Sequence, residues 1–214
     1  IADEKRLIGL EKNADVTKIV VRPENNSGYE EFNNFINNSS TEWPEVEITK
    51  NDNATLFYTS GSTGFPKGVL SSNRNVLATL FSWACYSSIR GQMSDSAGGL
   101  GENSDGTVKE ISVLHCVPLF HVTGSHSSFL ISILLGRKMV MMKKWDATEA
   151  LKLIEQEQIT NVTGVPTQSW EILSHPEREK YDISSLEDLG GGGAARPAEH
   201  VKQMDEQFEA KPSI

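Results

Sequence analysis

The sequence predicts an α/β fold, in which a mixed, largely parallel sheet is flanked by helices. Three observations lead there. Short runs rich in β-branched and other apolar residues alternate along the chain with segments whose apolar positions recur every three or four residues, the spacing of one helix face. The 214 residues are 37% hydrophobic, enough for a sizeable core in one domain or in two small ones. One helical segment also carries a start signal, Asp146 followed three residues on by Glu149.

In chain order, strands are expected at 18–21, 54–58, 111–117, 138–142 and 160–163, each a short apolar, β-rich run. Helices are expected at 75–89, 125–135, 147–156 and 198–209, where the three- and four-residue spacing appears. Two segments break the alternation. Residues 22–53 are rich in Asn, Ser and Glu and read as a surface excursion with room for one short helix. Residues 91–109 offer a core almost nothing and read as a mobile loop between a helix and the next strand.

Charge and cysteine content exclude some function classes. A net charge of −9 is the wrong sign for a surface that holds nucleic acid or anionic lipid by bulk electrostatics, so a phosphate ligand has to be met locally. Cys85 and Cys116 lie far apart among apolar neighbours and read as reduced thiols, which suits a cytoplasmic location. No run approaches the ~20 apolar residues of a membrane span; the stretch from Phe129 to Leu135 is short and broken by Ser132. The chain opens on Ile1 and stops at Ile214 just after a helical pattern, so both ends read as cut from a longer protein.

Ser60-Gly61-Ser62-Thr63-Gly64 follows the strand at 54–58 and gathers small residues, hydroxyls and backbone N–H groups in one turn. Glycines let a backbone approach an anion closely, and successive N–H groups can form an anion nest. Lys67 adds a cation after Pro66. A bare Ser/Gly run is more often a flexible surface turn. No Gly-Lys-Ser/Thr stands at the distance that a Walker loop requires.

The full stretch Tyr58-Thr59-Ser60-Gly61-Ser62-Thr63-Gly64-Phe65-Pro66-Lys67-Gly68-Val69 resembles the signature loop of the adenylate-forming superfamily, which includes AMP-forming acyl-CoA synthetases, nonribosomal-peptide adenylation domains and firefly-type luciferases. Three later segments resemble further motifs of that family, in family order. Pro118-Leu119-Phe120-His121-Val122-Thr123-Gly124 is similar to the motif whose aromatic and His line the acyl and phosphate side of the cleft. Gly164-Val165-Pro166-Thr167 resembles a turn bordering the carboxylate-substrate pocket, with Trp170 one helical turn on. Gly192 to Pro197 resembles the Gly-Gly-Ala-x-x-Pro segment beside the adenine. Outside this company His121 would read as a structural histidine, Phe120 and Trp170 as core, and the four-glycine run as a loose turn. Many relatives carry Thr-His-Arg-Asn where this chain has Ser72-Asn73-Arg74-Asn75.

The resemblance implies that residues 1–214 are part of the large N-terminal AMP-binding domain, with the C-terminal domain absent. It implies ATP, Mg²⁺ and coenzyme A as cosubstrates, and a small carboxylic acid, fatty or aryl, as substrate. Thr59, Ser60, Gly61, Ser62, Thr63, Gly64 and Lys67 would cradle phosphate, with Thr63 also beside the metal. Gly192, Gly193 and Ala194 would border the adenine. Phe120, His121, Gly164, Val165 and Pro166 would line the acid pocket, and His121 and Lys67 would assist the chemistry. The family's Tyr-Gly-x-Thr-Glu motif, ribose-binding Asp and C-terminal Lys are not among these residues, so the piece alone is expected to be inactive. An adenylation domain that loads a carrier protein, a non-catalytic nucleotide-binding homologue and a P-loop phosphotransferase are the alternatives; an oligomer is compatible with each.

Overall fold

A computed structural model describes residues 1–8, 16–23, 28–61, 64–93, 110–195 and 202. The chain divides into two compact units, Ile1–Ile48 and Thr49–Ile214. In the first, helix α1 (Glu4–Ile8) precedes strand β1 (Ile19–Val20), which pairs in parallel with β2 (Glu30–Glu31) ahead of helix α2 (Phe32–Asn37). Among the described residues of this unit, Leu7, Ile19 and Val20 are the buried apolar ones. The short helix foreseen within 22–53 is α2, and its residues are largely exposed.

The second unit opens with a hairpin. Strand β3 (Asn53–Thr59) pairs antiparallel with β4 (Lys67–Ser72). The first strand was expected and the second was not, because Pro66, Lys67 and Gly68 read as turn residues. Gly68 is in fact a ladder position: a Cβ there would lie 3.0 Å from Leu56 Cδ1, so the small residue makes room for its neighbours across the ladder.

Helix α3 (Asn73–Met93) leaves β4 directly and extends beyond the expected 75–89 at both ends. Its start is tied down locally. Asn73 Nδ2 donates to the Thr49 carbonyl at 3.0 Å, and Arg74 donates to Asn51 Oδ1 at 2.9 Å. The Ser72–Asn75 run therefore anchors this helix. Residues 94–109, and nearly all of the helix expected at 198–209, lie outside the described residues.

The rest of the unit is built on a four-stranded, wholly parallel sheet in the order β6-β5-β7-β8: β5 (Ser112–His115), β6 (Lys138–Met141), β7 (Asn161–Gly164) and β8 (Asp188–Gly191). Helix α4 (Val122–Gly124), a π-helical stretch (Ser125–Leu130) and α5 (Ile131–Leu134) join β5 to β6. Helix α6 (Ala147–Glu157) joins β6 to β7, and α7 (Pro166–Leu173) with a 3₁₀ turn (Arg178–Lys180) joins β7 to β8.

The core lies where α6 and α7 cover one face of the sheet. Leu114, Val162 and Leu189 meet Ala150, Leu151 and Ile154 of α6 and Ile172 and Leu173 of α7. Each fully buried Leu or Ile contributes about 1.5–3 kcal/mol relative to exposure. Asp146 caps α6 as its spacing predicts, Oδ1 accepting from the Glu149 N–H at 2.9 Å, and Gln158 ends the helix in the left-handed region.

The segment expected as one regular helix over 125–135 begins as π-helix. Ser125, Ser127 and Ser132 each donate a hydroxyl to the carbonyl four residues back, a competition with the backbone ladder that accompanies its widening. Among the described residues no helix is long and apolar enough to cross a membrane.

Candidate functional site

In open sheets of parallel strands, ligands bind in the crevice beyond the carboxyl ends of the strands. Three of the four segments singled out in the sequence leave the sheet at that edge. Residues 116–124 follow β5, Val165 and Pro166 follow β7, and Gly192–Ala194 follow β8. Adjacent strands bring them together. The Gly192 amide donates to the Gly164 carbonyl at 2.9 Å, and a Cβ on Gly192 would lie 3.7 Å from Thr123 Oγ1. Gly192, Gly164 and the turn that carries Phe120 and His121 are thus neighbours, although they are far apart in sequence.

The turn after β5 is closed by backbone contacts. The His121 amide donates to the Pro118 carbonyl at 3.1 Å, and Gly124 lies so close that a Cβ on it would stand 2.3 Å from Pro118 O and 2.6 Å from Val117 O. Such a turn presents its side chains outward. Phe120 is 71% exposed, and its ring packs on that of His121 with centroids 4.7 Å apart. The core role that an isolated Phe120 would suggest is not the one it has. Pro166 occupies the first position of α7 and is buried, Val165 is half-buried, and Trp170 is half-buried on α7. Gly193 has φ +84° with nothing within 4 Å of a would-be Cβ, and Ala194 beside it is exposed.

The phosphate-loop residues stand on the hairpin. Thr59 ends β3, Lys67 begins β4, and the two are cross-strand partners, so the loop is a hairpin connection. Gly61 and Gly64 both have positive φ, +67° and +90°, and the Gly64 amide donates to the Gly61 carbonyl at 3.3 Å. Thr59, Ser60, Gly64 and Lys67 are exposed, and Lys67 forms no ion pair among the described residues. Ser62 and Thr63 lie outside the described residues. Phe57 of β3 reaches the segment after β5, meeting His126 of the π-helical stretch edge to face with ring centroids 5.6 Å apart.

Gln168 is a residue that the sequence reading passed over. Its Oε1 accepts the Val165 N–H at 2.9 Å and its Nε2 donates to the Cys116 carbonyl at 3.2 Å, so one buried amide joins the ends of β5 and β7. It also explains Gly164, where a Cβ would fall 2.6 Å from Gln168 Oε1. A signal was present, since Pro166 at the first helical position and Gln two residues later form one half of a capping box. Gln168→Leu leaves the half-buried Val165 N–H and the buried Cys116 C=O without these partners and is expected to cost about 2–4 kcal/mol, read as a lower urea midpoint. An unchanged midpoint would mean that the amide is dispensable.

Burial sets the electrostatics below the edge. The Cys116 thiol is pushed up to about 12 by desolvation, so it stays protonated and inert at neutral pH. His115, which shares a 2.8 Å hydrogen bond between Nδ1 and Ser128 Oγ, and His126 are both held below the usual imidazole range by desolvation. The unfolded chain therefore binds protons at these sites before the folded one does. Their contribution to stability is present above the ordinary imidazole pKa, about 6.5, and is lost as pH falls through the lower folded values. Denaturant midpoints are expected to drop between pH 7.5 and 5.5; equal midpoints would contradict neutral, buried imidazoles.

The fold is that of the N-terminal domains of adenylate-forming enzymes. Solved structures that share it include the inhibitor-bound N-terminal domain of FACL13 from Mycobacterium tuberculosis, with a TM-score of 0.71 at 20% identity over 96% of this chain and 52% of that one. The luciferase-like enzyme of the nonluminescent Zophobas morio mealworm gives a TM-score of 0.71 at 20% identity, over 97% of this chain and 44% of that one. The profile of the AMP-binding enzyme family matches residues 2–214, and the chain belongs to that family. It is 36% identical over 164 residues to a long-chain-fatty-acid–CoA ligase of Bacillus subtilis, covering 77% of this chain and 26% of that protein. It is 29% identical over 181 residues to 4-coumarate–CoA ligase 1 of Solanum tuberosum, covering 84% of this chain and 30% of that protein. The chain thus spans between about a quarter and a third of the length of these relatives.

Proposed function

We propose that the protein carrying this chain activates a carboxylic acid, fatty or aryl, with ATP. The acid's carboxylate oxygen attacks the α-phosphorus, pyrophosphate leaves, and the acyl-adenylate then passes its acyl group to the thiol of coenzyme A with release of AMP. The observation that carries this reading is the hairpin connection between Thr59 and Lys67, where two left-handed glycines, exposed hydroxyl residues and a Lys67 without an ion pair among the described residues favour an anion. Joining two anions requires positioning and concentrated positive potential, which that turn supplies in a chain that is acidic as a whole.

In this reading Thr59, Ser60, Gly61, Ser62, Thr63, Gly64 and Lys67 hold the phosphates, and Gly192, Gly193 and Ala194 give the adenine a flat, side-chain-poor border. Phe120, His121, Gly164, Val165 and Pro166 line the acid's side, with His121 and Lys67 nearest the reacting groups. Among the described residues no three His, Cys, Asp or Glu side chains converge where a metal could sit, and the loop offers hydroxyls in place of carboxylates. These residues do not by themselves fit a Mg²⁺ site; the ion is proposed to arrive on the nucleotide. The two free cysteines, one of them buried, support a reducing, cytoplasmic setting.

The test is pyrophosphate release by the full-length protein against a panel of carboxylic acids, with and without coenzyme A. Release with a fatty or aryl acid, and thioester formed only when coenzyme A is present, is the expected result, whereas activity with amino acids alone would overturn the coenzyme A reading. The 214-residue chain on its own is expected to release none.

A further inference from the structure

His126 is buried, 6% exposed, at the second position of the π-helical stretch. Its Nδ1 lies 2.8 Å from Ser125 Oγ. The Ser125 hydroxyl donates to the His121 carbonyl at 3.0 Å, and the Ser125 amide donates to the same oxygen at 2.9 Å. A hydroxyl has one proton to give; when Ser125 gives it to the His121 carbonyl, both contacts are satisfied only with the imidazole hydrogen on Nδ1, donated to Ser125 Oγ. On its other side the His126 ring meets Phe57, which stands two residues before Thr59 in β3.

We infer that His126 is a positioning residue that sets the His121 turn against the phosphate-loop hairpin, through Ser125 to the His121 carbonyl on one side and through Phe57 on the other. The inference rests on the roles proposed for His121 and for the loop. The hairpin and the parallel sheet belong to different ladders and share no backbone pairing among the described residues; helix α3, which continues from β4, packs through Val76 and Leu80 on Ile131, and the His126 link adds a contact made by the hairpin itself. A chain of this kind fixes relative position, and an error of about 1 Å between reacting groups is enough to cost roughly a hundredfold in rate. Burial keeps the ring neutral, so the contact is a dipolar one that does not add charge near the phosphates.

The test compares adenylation kinetics of the full-length protein with three substitutions. His126→Phe keeps an aromatic ring against Phe57 and removes the donor to Ser125; His126→Asn restores an N–H near the Nδ1 position. His126→Phe is expected to lower kcat for pyrophosphate release about tenfold with KM for ATP within about twofold, and His126→Asn to recover kcat to within about threefold. A normal kcat in His126→Phe, or equal loss in both variants, overturns the inference. His121→Ala separates the two levels. If it is fully active, the role of His121 fails and the inference with it; if it is impaired while His126→Phe is normal, only the positioning by His126 fails. A long-range ¹H–¹⁵N spectrum of the unsubstituted protein gives a readout independent of variant folding, with the His126 proton expected on Nδ1 and a proton on Nε2 as the contradicting result.

Discussion

Gly124→Ala is expected to destabilise the second unit by about 3 kcal/mol or more, at the upper end of what one added methyl does in a packed interior. The reason is where the methyl must go. It would lie 2.3 Å from Pro118 O, 2.6 Å from Val117 O and 2.8 Å from Pro118 C, all backbone atoms of the turn that Gly124 closes. No rotamer relieves a clash between Cβ and main chain, so the turn itself has to open. That would disturb the His121–Pro118 hydrogen bond and the start of α4 together. Thermal or urea unfolding measures the loss, and a midpoint equal to that of the unsubstituted protein would show that the turn is looser than described. In the full-length protein the same change is expected to abolish pyrophosphate release, because Phe120 and His121 sit on this turn.

Gly61→Ala tests the phosphate loop and should divide stability from activity. Its φ of +67° is a left-handed conformation that costs an L-residue roughly 1–2 kcal/mol, and a Cβ would stand 2.0 Å from the Phe65 carbonyl oxygen. The loop must therefore take another path. Phe65 is 80% exposed at the hairpin connection, so the rearrangement disturbs no core and the loss of stability should stay within about 1–2 kcal/mol, the conformational cost alone. Activity depends on where the loop's N–H groups point, and a fall of about a hundredfold or more in kcat/KM for ATP is expected. Gly64→Ala is the matched control. It shares a positive φ, +90°, but has nothing within 4 Å of the new methyl, so only the conformational cost applies and the loss should be clearly smaller. Equal effects of the two substitutions would mean that the Gly61–Phe65 contact does not shape the loop.

Much of the scaffold was legible because the central parallel strands announce themselves. β5 and β7 lie in short, largely buried runs and β6, at the sheet edge, in a partly buried one, and each falls within the segment expected for it or one residue beyond. The Asp146 cap of α6 was legible for the same local reason. What stayed hidden depends on partners. β4 begins with residues that signal a turn, and only its pairing with β3 makes it a strand. β8 ends in Gly190 and Gly191, which read as loose chain, yet backbone hydrogen bonds to β7 need no side chains. The motifs at 118–124, 164–166 and 192–194 were legible one by one, and it is strand order that makes them neighbours. Gln168 and His126 act across the sheet and toward the hairpin, at separations that periodicity and spacing do not register.

The central claim is that this chain supplies the phosphate loop of an adenylating enzyme, and the nucleotide product tests it most directly. Full-length protein incubated with ATP and an accepted acid should yield AMP and pyrophosphate in equal amounts, in a reaction abolished by omitting the acid and strongly reduced by Lys67→Ala. ADP and orthophosphate as the products, or AMP formed at the same rate with Lys67→Ala, would contradict it.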